Sequence, residues 1–429
     1  FNNAIRSVYR APVHSPSGEP SGQPSSQPSA PTHTPSLVPT LNPTVEYNFV
    51  NVTTASSLVG ACAVQVGAFN GTAGLFVTVD ATLKFINGLD TDLQSASVIN
   101  VVGSASKSSL DGDFSSAEFE SLGRMVYNAS ADVLFVCDDE SSTIRIVDFS
   151  SQEVSTVSAS DNSSLVFTHP SSVYSFYGYG GRFPGMGVAS AGAYLYVTDR
   201  LKVYNLTRDE SSSLSSHYVR ETYTTLNEYM AVHSWPSRSL VLGIAVDEAR
   251  GMIYATVSFA VNVLLQIPMH ASHHSEITVL AGDSSLIYEG IGVSATTPYA
   301  LDGYGTSALL AFPSSLTYDA ASDTLFFTEA FTEFTSPSVD LLVGSLSVRR
   351  YSLSSGELRT YAGEDFSEAD AEYLVTGGYR DGRGSTSQFR YPLTVTTGFT
   401  LLGAPVLFVT DFFNNAIRSV YRAPVHSPS

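Results

Sequence analysis

One short block recurs six times along this chain and limits what the rest of it can fold into. It reads GLFVTVD from Gly74, VLFVCDD from Val133, YLYVTDR from Tyr194, MIYATVS from Met252, TLFFTEA from Thr324 and VLFVTDF from Val406. β-Branched and aromatic residues crowd each copy, and Gly, Ser, Asp and Asn break the chain between copies. That pattern predicts short strands and leaves no room for sustained helical periodicity. An aromatic side chain holds the same place every time, as Phe76, Phe135, Tyr196, Tyr254, Phe326 and Phe408. Self-similarity at intervals of about sixty to eighty residues marks a repeated supersecondary unit.

Several copies lead into a second strand with an Arg or aromatic end, as in STIRIVD (142–148), LKVYNL (201–206), SVRRYSL (347–353) and NAIRSVYR (415–422). Upstream of three copies stands a turn signal: DGDFSSAEF from Asp111, DGYGTSALLAFP from Asp302 and DGRGSTSQFRYP from Asp381. Asp-Gly is expected to supply turn positions of positive φ, and the following Phe to plug between sheets. At these residues the chain resembles the NHL-repeat β-propellers, whose blades run DGxGxxAxFxxP, an apolar strand, a Val-Ala-Asp-like strand and an Asn-x-x-Ile-Arg strand. The segment from Asp381 to Arg422 carries nearly the whole pattern, including Asn415, Ile417 and Arg418. The resemblance implies an all-β, six-bladed propeller over residues 45–422, with inserts at 160–183, 208–235 and 331–346 that depart from it.

A propeller needs its last blade completed, because radial closure is what removes open sheet edges. The sixth blade runs out after its third strand, since Ala423 and Pro424 follow Arg422 at once. The segment VEYNFVNV (45–52) belongs to no other blade, so it is predicted to form the outer strand of the sixth. The chain would then enter the propeller at Val45 and leave it at Arg422 on one blade.

Two further features set the context. Residues 1–17 and 413–429 are identical, a period of 412 residues. Either the sequence was duplicated, or the chain is one overlapping period of a longer polypeptide of near-identical units; the second reading is preferred. It makes 1–11 the end of the preceding propeller and 423–429 the start of the next linker. From Pro12 to Thr44, prolines stand at 12, 16, 20, 24, 28, 31, 35, 39 and 43. Proline at nearly every fourth position excludes helix and central strand, and favours an extended polyproline II spacer. Ser15, Ser17, Ser21, Ser25, Ser26, Ser29, Thr32 and Thr34 are interleaved as in O-glycosylated stalks, or belong to an unmodified linker.

Charge narrows the partners. Forty acidic against 21 basic residues give a net charge of −19, with lysine only at 84, 107 and 202, so a nucleic-acid backbone has no cationic surface to bind. No run reaches the roughly 18 to 20 apolar residues of a membrane span. N-glycosylation sequons fall at Asn51, Asn70, Asn128, Asn162 and Asn205, all before residue 208, whereas Pro43 excludes Asn42. Cys62 and Cys137 sit in adjacent blades, as a disulfide in an oxidising compartment or as two buried thiols. Some NHL propellers are metal-dependent lyases with His ligands near the central channel. Here His270, His273 and His274 form the one His cluster, in a polar connection without Cys or paired carboxylates, which reads as an exposed loop. Asp80, Asp138, Asp199 and Asp411 repeat with the blade and read as turn or cap residues. No nucleophile elbow, P-loop or dinucleotide fingerprint occurs. The expectation is therefore an extracellular or cell-surface structural glycoprotein: no catalysis, no cofactor, neighbouring repeats and covalent glycans as partners, and a filament of propellers on a Pro-rich thread. A multivalent adhesion or glycan- or protein-binding array of propellers is the alternative, with Tyr174, Phe176, Tyr177 and Tyr179 as exposed contacts, and an NHL-type lyase or hydrolase is the third reading, for which no catalytic set can be assembled.

Overall fold

The computed structural model describes residues 48–53, 58–88, 96–159, 165, 167, 188–191, 194–199, 202–211, 216–222, 224–236, 239–287, 300–336, 339–363, 377–399 and 405–422, with the strands at 48–53, 188–191 and 331–344 described by their backbone. Residues 1–44, Asn162, the four aromatics between 174 and 179 and residues 423–429 lie outside them.

The described chain forms six antiparallel sheets of four or five strands. Their first strands are Ala61–Phe69, Leu122–Asn128, Val188–Ala191, Leu240–Asp247, Pro313–Asp319 and Pro392–Phe399, each at the edge of its sheet. Each first strand lies against the first strands of both neighbouring sheets, so the six close into a ring. This is a six-bladed β-propeller. The six sequence blocks are the second strands: Thr72–Val79, Val133–Asp138, Tyr194–Asp199, Met252–Ser258, Thr324–Ser336 and Pro405–Asp411.

The repeated aromatic explains why the ring is packed. Phe76 lies in an apolar cluster shared by blades 1 and 2, Phe135 in one shared by 2 and 3, and Tyr196 in one shared by 3 and 4. Tyr254, Phe326 and Phe408 hold the same place between blades 4 and 5, 5 and 6, and 6 and 1. Each aromatic thus fills the wedge between its own blade and the next. Truncating one is expected to cost about 3–5 kcal/mol.

A second column of the block works in hydrogen bonds. The inner strands of blades 1, 4, 5 and 6 each carry a bulge near their start, which leaves a backbone N–H without a ladder partner. Thr78, Thr256, Thr328 and Thr410 take up that N–H, from Ala63, Gly243, Ser315 and Thr394 respectively, at 2.8–3.2 Å. The same hydroxyls donate to the next blade's inner strand, at Gly123, Ser314, Leu393 and Cys62 carbonyl oxygens. One hydroxyl therefore satisfies a bulge and staples two blades, and Thr410 staples the last blade to the first. Blade 2 carries Cys137 at this position and blade 3 carries Thr198, both fully buried.

The insert at 208–235 adds a helix that the strand pattern does not foretell, α1 (Thr224–Val232). Leu226, Tyr229 and Met230 on one of its faces, with Trp235 just beyond, pack into the cluster between blades 3 and 4.

Candidate functional site

Two places in the ring are specialised: the sixth blade and the central cavity. Blade 6 takes its first three strands from 392–422 and its fourth, Asn48–Thr53, from the start of the described chain. The pairing is antiparallel over the whole strand, from Asn48 opposite Arg422 to Thr53 opposite Ile417. A two-residue strand, Gly382–Arg383, covers the far edge through Phe49 and Val50. Chain entering and chain leaving the propeller are thus paired neighbours.

Blades 2, 5 and 6 share one buried ion-pair device. Arg418 reaches Asp411 and Asp381, both at 2.8 Å. Arg349 reaches Glu329 at 2.8 Å and Asp302 at 2.9 Å, and Arg145 reaches Asp138 at 3.2 Å and Asp111 at 2.7 Å. In each case the side chain of the third strand joins the second strand to the Asp-Gly turn. Arg145 and Arg418 also lie over Phe119 and Phe389, the Phe of the turn motif. Leu310 replaces that Phe in blade 5 and is equally buried. Asp138 and Asp411 accept further bonds from backbone N–H groups, of Glu120 and Ser121 and of Arg390 and Tyr391, so they cap turns as the sequence suggests. The turn glycines meet the expectation of positive φ in part: Gly112 has φ 156°, whereas Gly303 and Gly382 have no positive φ. They open two-residue strands, where a Cβ on Gly382 would lie 2.8 Å from Thr386 Oγ1 and one on Gly112 2.6 Å from Ser116 Oγ.

The central cavity, about 300 Å³, is lined by the first strands of five blades. Because those strands are sheet edges, backbone N–H and C=O groups face it along with side chains. One side, from blades 1, 5 and 6, is polar, with the amide of Gln65 and the hydroxyls of Ser315, Thr317, Thr396 and Thr397. Gln65 donates to Thr396 Oγ1 at 3.5 Å, and Thr317 and Thr397 lie 3.5 Å apart. The other side is apolar, from Met125, Val126, Ile244 and Val246. Arg124 crosses the axis from blade 2, donating to Leu242 O in blade 4 and Ser314 Oγ in blade 5, both at 2.8 Å. Its contacts lie two residues before Ile244 and one before Ser315 of the lining, so the arginine floors the cavity near the strand starts. Arg124 is 7% exposed, has no ion-pair partner among the described residues, and its Nε–H has no hydrogen-bond partner. Desolvation pushes its pKa down, against the opposing field of Cys62, Cys137, Asp139 and Tyr391. Nothing in a single sequence marks Arg124, which stands in a first strand outside the recurring blocks.

The remaining predicted residues are scattered. Asn70 lies in an exposed Asn-Gly turn, with φ 50° at Asn70 and 75° at Gly71, between the first two strands of blade 1. Asn128 ends the first strand of blade 2, and its Oδ1 accepts bonds from Ser130 N and Oγ. Both stand where first strands end, on one face. Asn205 is half-buried in the third strand of blade 3, and Asn51 pairs with Ser419 in the clasp. Cys62 and Cys137 are both buried and are not joined by a disulfide, and burial pushes the pKa of the Cys137 thiol well up. His270 and His273 are exposed and His274 half-buried, in the connection between the outer strands of blade 4 and away from the channel. Glu276 there caps the turn by accepting from Ser272 and His273 N–H groups. Among the described residues no cluster of three metal-ligating side chains occurs.

No protein-family model matches the chain, and no curated protein matches it. Solved structures do. A chain of a nidogen/laminin complex is 14% identical, with a TM-score of 0.42, covering 80% of this chain and 87% of that one. An auxiliary nutrient binding protein from Bacteroides ovatus is 14% identical, with a TM-score of 0.38 over 88% and 91%. A chain of a mitotic checkpoint complex is 10% identical, with a TM-score of 0.42 over 87% and 93%. The likeness concerns the fold alone.

Proposed function

We propose that the chain is one period of an extracellular structural filament, a non-catalytic propeller carried on a Pro-rich thread. The observation that carries this reading is the pairing of Asn48 with Arg422. The strand that follows the Pro-rich run closes the blade from which the next Pro-rich run departs. Ala4–Arg10 repeats Ala416–Arg422 residue for residue, so in a tandem polypeptide each copy of that strand would serve the propeller before it. Successive propellers would then hang beside a continuous thread, each attached at its sixth blade. Identical units in one chain present the same surface at every period, and heterologous contacts that do not close build open filaments. The exposed turn position of Asn70 and the Ser/Thr content of 12–44 suit a glycosylated external surface. NHL-type repeat identity rests on the Asp-Gly turns and their buried arginines.

A polypeptide of three periods, secreted from a glycosylating host, tests the reading without any ligand. Sedimentation and negative-stain imaging should reveal regular polymers with sugars on the chain. Independent beads that never associate would move the assignment to the second reading, a ligand-binding array, which the central cavity favours.

A further inference from the structure

The strongest unassigned feature of the molecule is the floor of the central cavity. Buried cations in proteins are paired, because taking a charge out of water without a partner is costly. Arg145, Arg349 and Arg418 obey that rule with two carboxylates each. Arg124 does not: its two bonds go to a backbone carbonyl and a serine hydroxyl, both neutral. Of the five N–H donors a guanidinium carries, these use two. Asp139 acts on it through the field. The arginine is held in place by blades 4 and 5, and the cavity above it is open to small solutes.

We propose that this cavity binds a uronic acid residue, with the carboxylate on Arg124 and the sugar hydroxyls on Gln65, Thr317 and Thr396. Three observations select that chemistry. The unpaired guanidinium asks for an anion, and charge-assisted bonds to a carboxylate are the strong ones. The hydroxyl-bearing wall and the exposed strand edges offer donors and acceptors that a simple fatty or aromatic acid would leave unsatisfied. Opposite them, Val126, Ile244 and Val246 provide an apolar wall for the C–H face of a pyranose ring. The volume lies at the low end of the roughly 300–1,000 Å³ of small-molecule sites, which suits one sugar rather than a chain. The proposal concerns the single propeller and does not depend on filament formation.

Calorimetry on the single-period protein at physiological salt tests it, with D-glucuronate, D-glucose, acetate and a glucuronate-terminated oligosaccharide as probes. Glucuronate should bind at least about tenfold more tightly than glucose or acetate, since each lacks one half of the recognised set. Binding of the free acid and of the oligosaccharide distinguishes a soluble metabolite from a glycan terminus, and either supports the site. Arg124→Gln should lower glucuronate affinity by about tenfold or more while leaving any glucose binding unchanged. Should that variant fail to fold, the Thr317→Val, Thr396→Val pair, which leaves Arg124 and its partners in place, should weaken glucuronate several-fold. Equal affinities for glucose and glucuronate, no heat with any probe, or unchanged binding in the variants would overturn the assignment.

Discussion

Replacing Thr410 with Val probes how the ring is closed. The substitution keeps shape and volume and removes one hydroxyl. That hydroxyl accepts from Thr394 N at 2.9 Å, donates to Cys62 O at 3.3 Å, and lies 2.8 Å from Thr394 Oγ1, all in a fully buried setting. With Val, Thr394 N–H and Cys62 C=O each lose this hydroxyl as a buried partner. At about 1–3 kcal/mol for each buried bond lost, the loss should be roughly 2–6 kcal/mol. Thr410→Ser retains the hydroxyl and should lose only about 1 kcal/mol for its methyl. Thr278→Val, exposed on the outer strand of blade 4, should change stability by no more than about 0.5 kcal/mol. Guanidinium unfolding should be followed by far-ultraviolet dichroism and by the fluorescence of Trp235, the single tryptophan, which sits between blades 3 and 4. Coincident transitions license the comparison. If Thr410→Val and Thr278→Val unfold alike, the staple is not what holds blade 6 to blade 1.

Arg418→Met should destabilise by about 3–5 kcal/mol in the same assay, because it strands the buried Asp411, and Arg418→Lys should recover little, lacking the fork that spans two carboxylates. Native protein should show no thiol titratable by Ellman's reagent and two after denaturation without reductant; none after denaturation would establish a disulfide. Burial holds the Cys137 pKa above its unfolded value, so the unfolded chain loses that proton first as pH rises. Its stabilising contribution is complete below the unfolded thiol value of about 8.5, then declines by about 1.4 kcal/mol per pH unit, a slope that Cys137→Ala should reduce. Deleting residues 46–53 should uncover the edge of Ala416–Arg422 and produce association visible by light scattering, whereas a monomer of unchanged stability would contradict the clasp.

What the sequence made legible followed from repetition. The aromatic column announced six interblade wedges because an identical packing problem is solved six times. The Thr column stood in the same blocks and was readable in principle, yet its meaning depends on bulges in a different strand, and Cys137 interrupts it. The turn glycines were read for backbone angle, a reading that holds at Gly112 and fails at Gly303 and Gly382, where the short strand after the turn runs without a positive φ. Helix α1 spans nine residues and owes its existence to the pocket between blades 3 and 4, too short a segment for local propensity to declare. Arg124 was invisible because its partners lie 118 and 190 residues away and no second blade repeats it.

Cryo-electron microscopy of the native material tests most directly whether one propeller per 412-residue period is entered and left through its sixth blade. The account predicts a continuous filament in which density follows the Pro-rich thread from Arg422 of one propeller to the clasp strand of the next. Propellers without that shared strand, or strung as separate particles with no regular spacing, would contradict it.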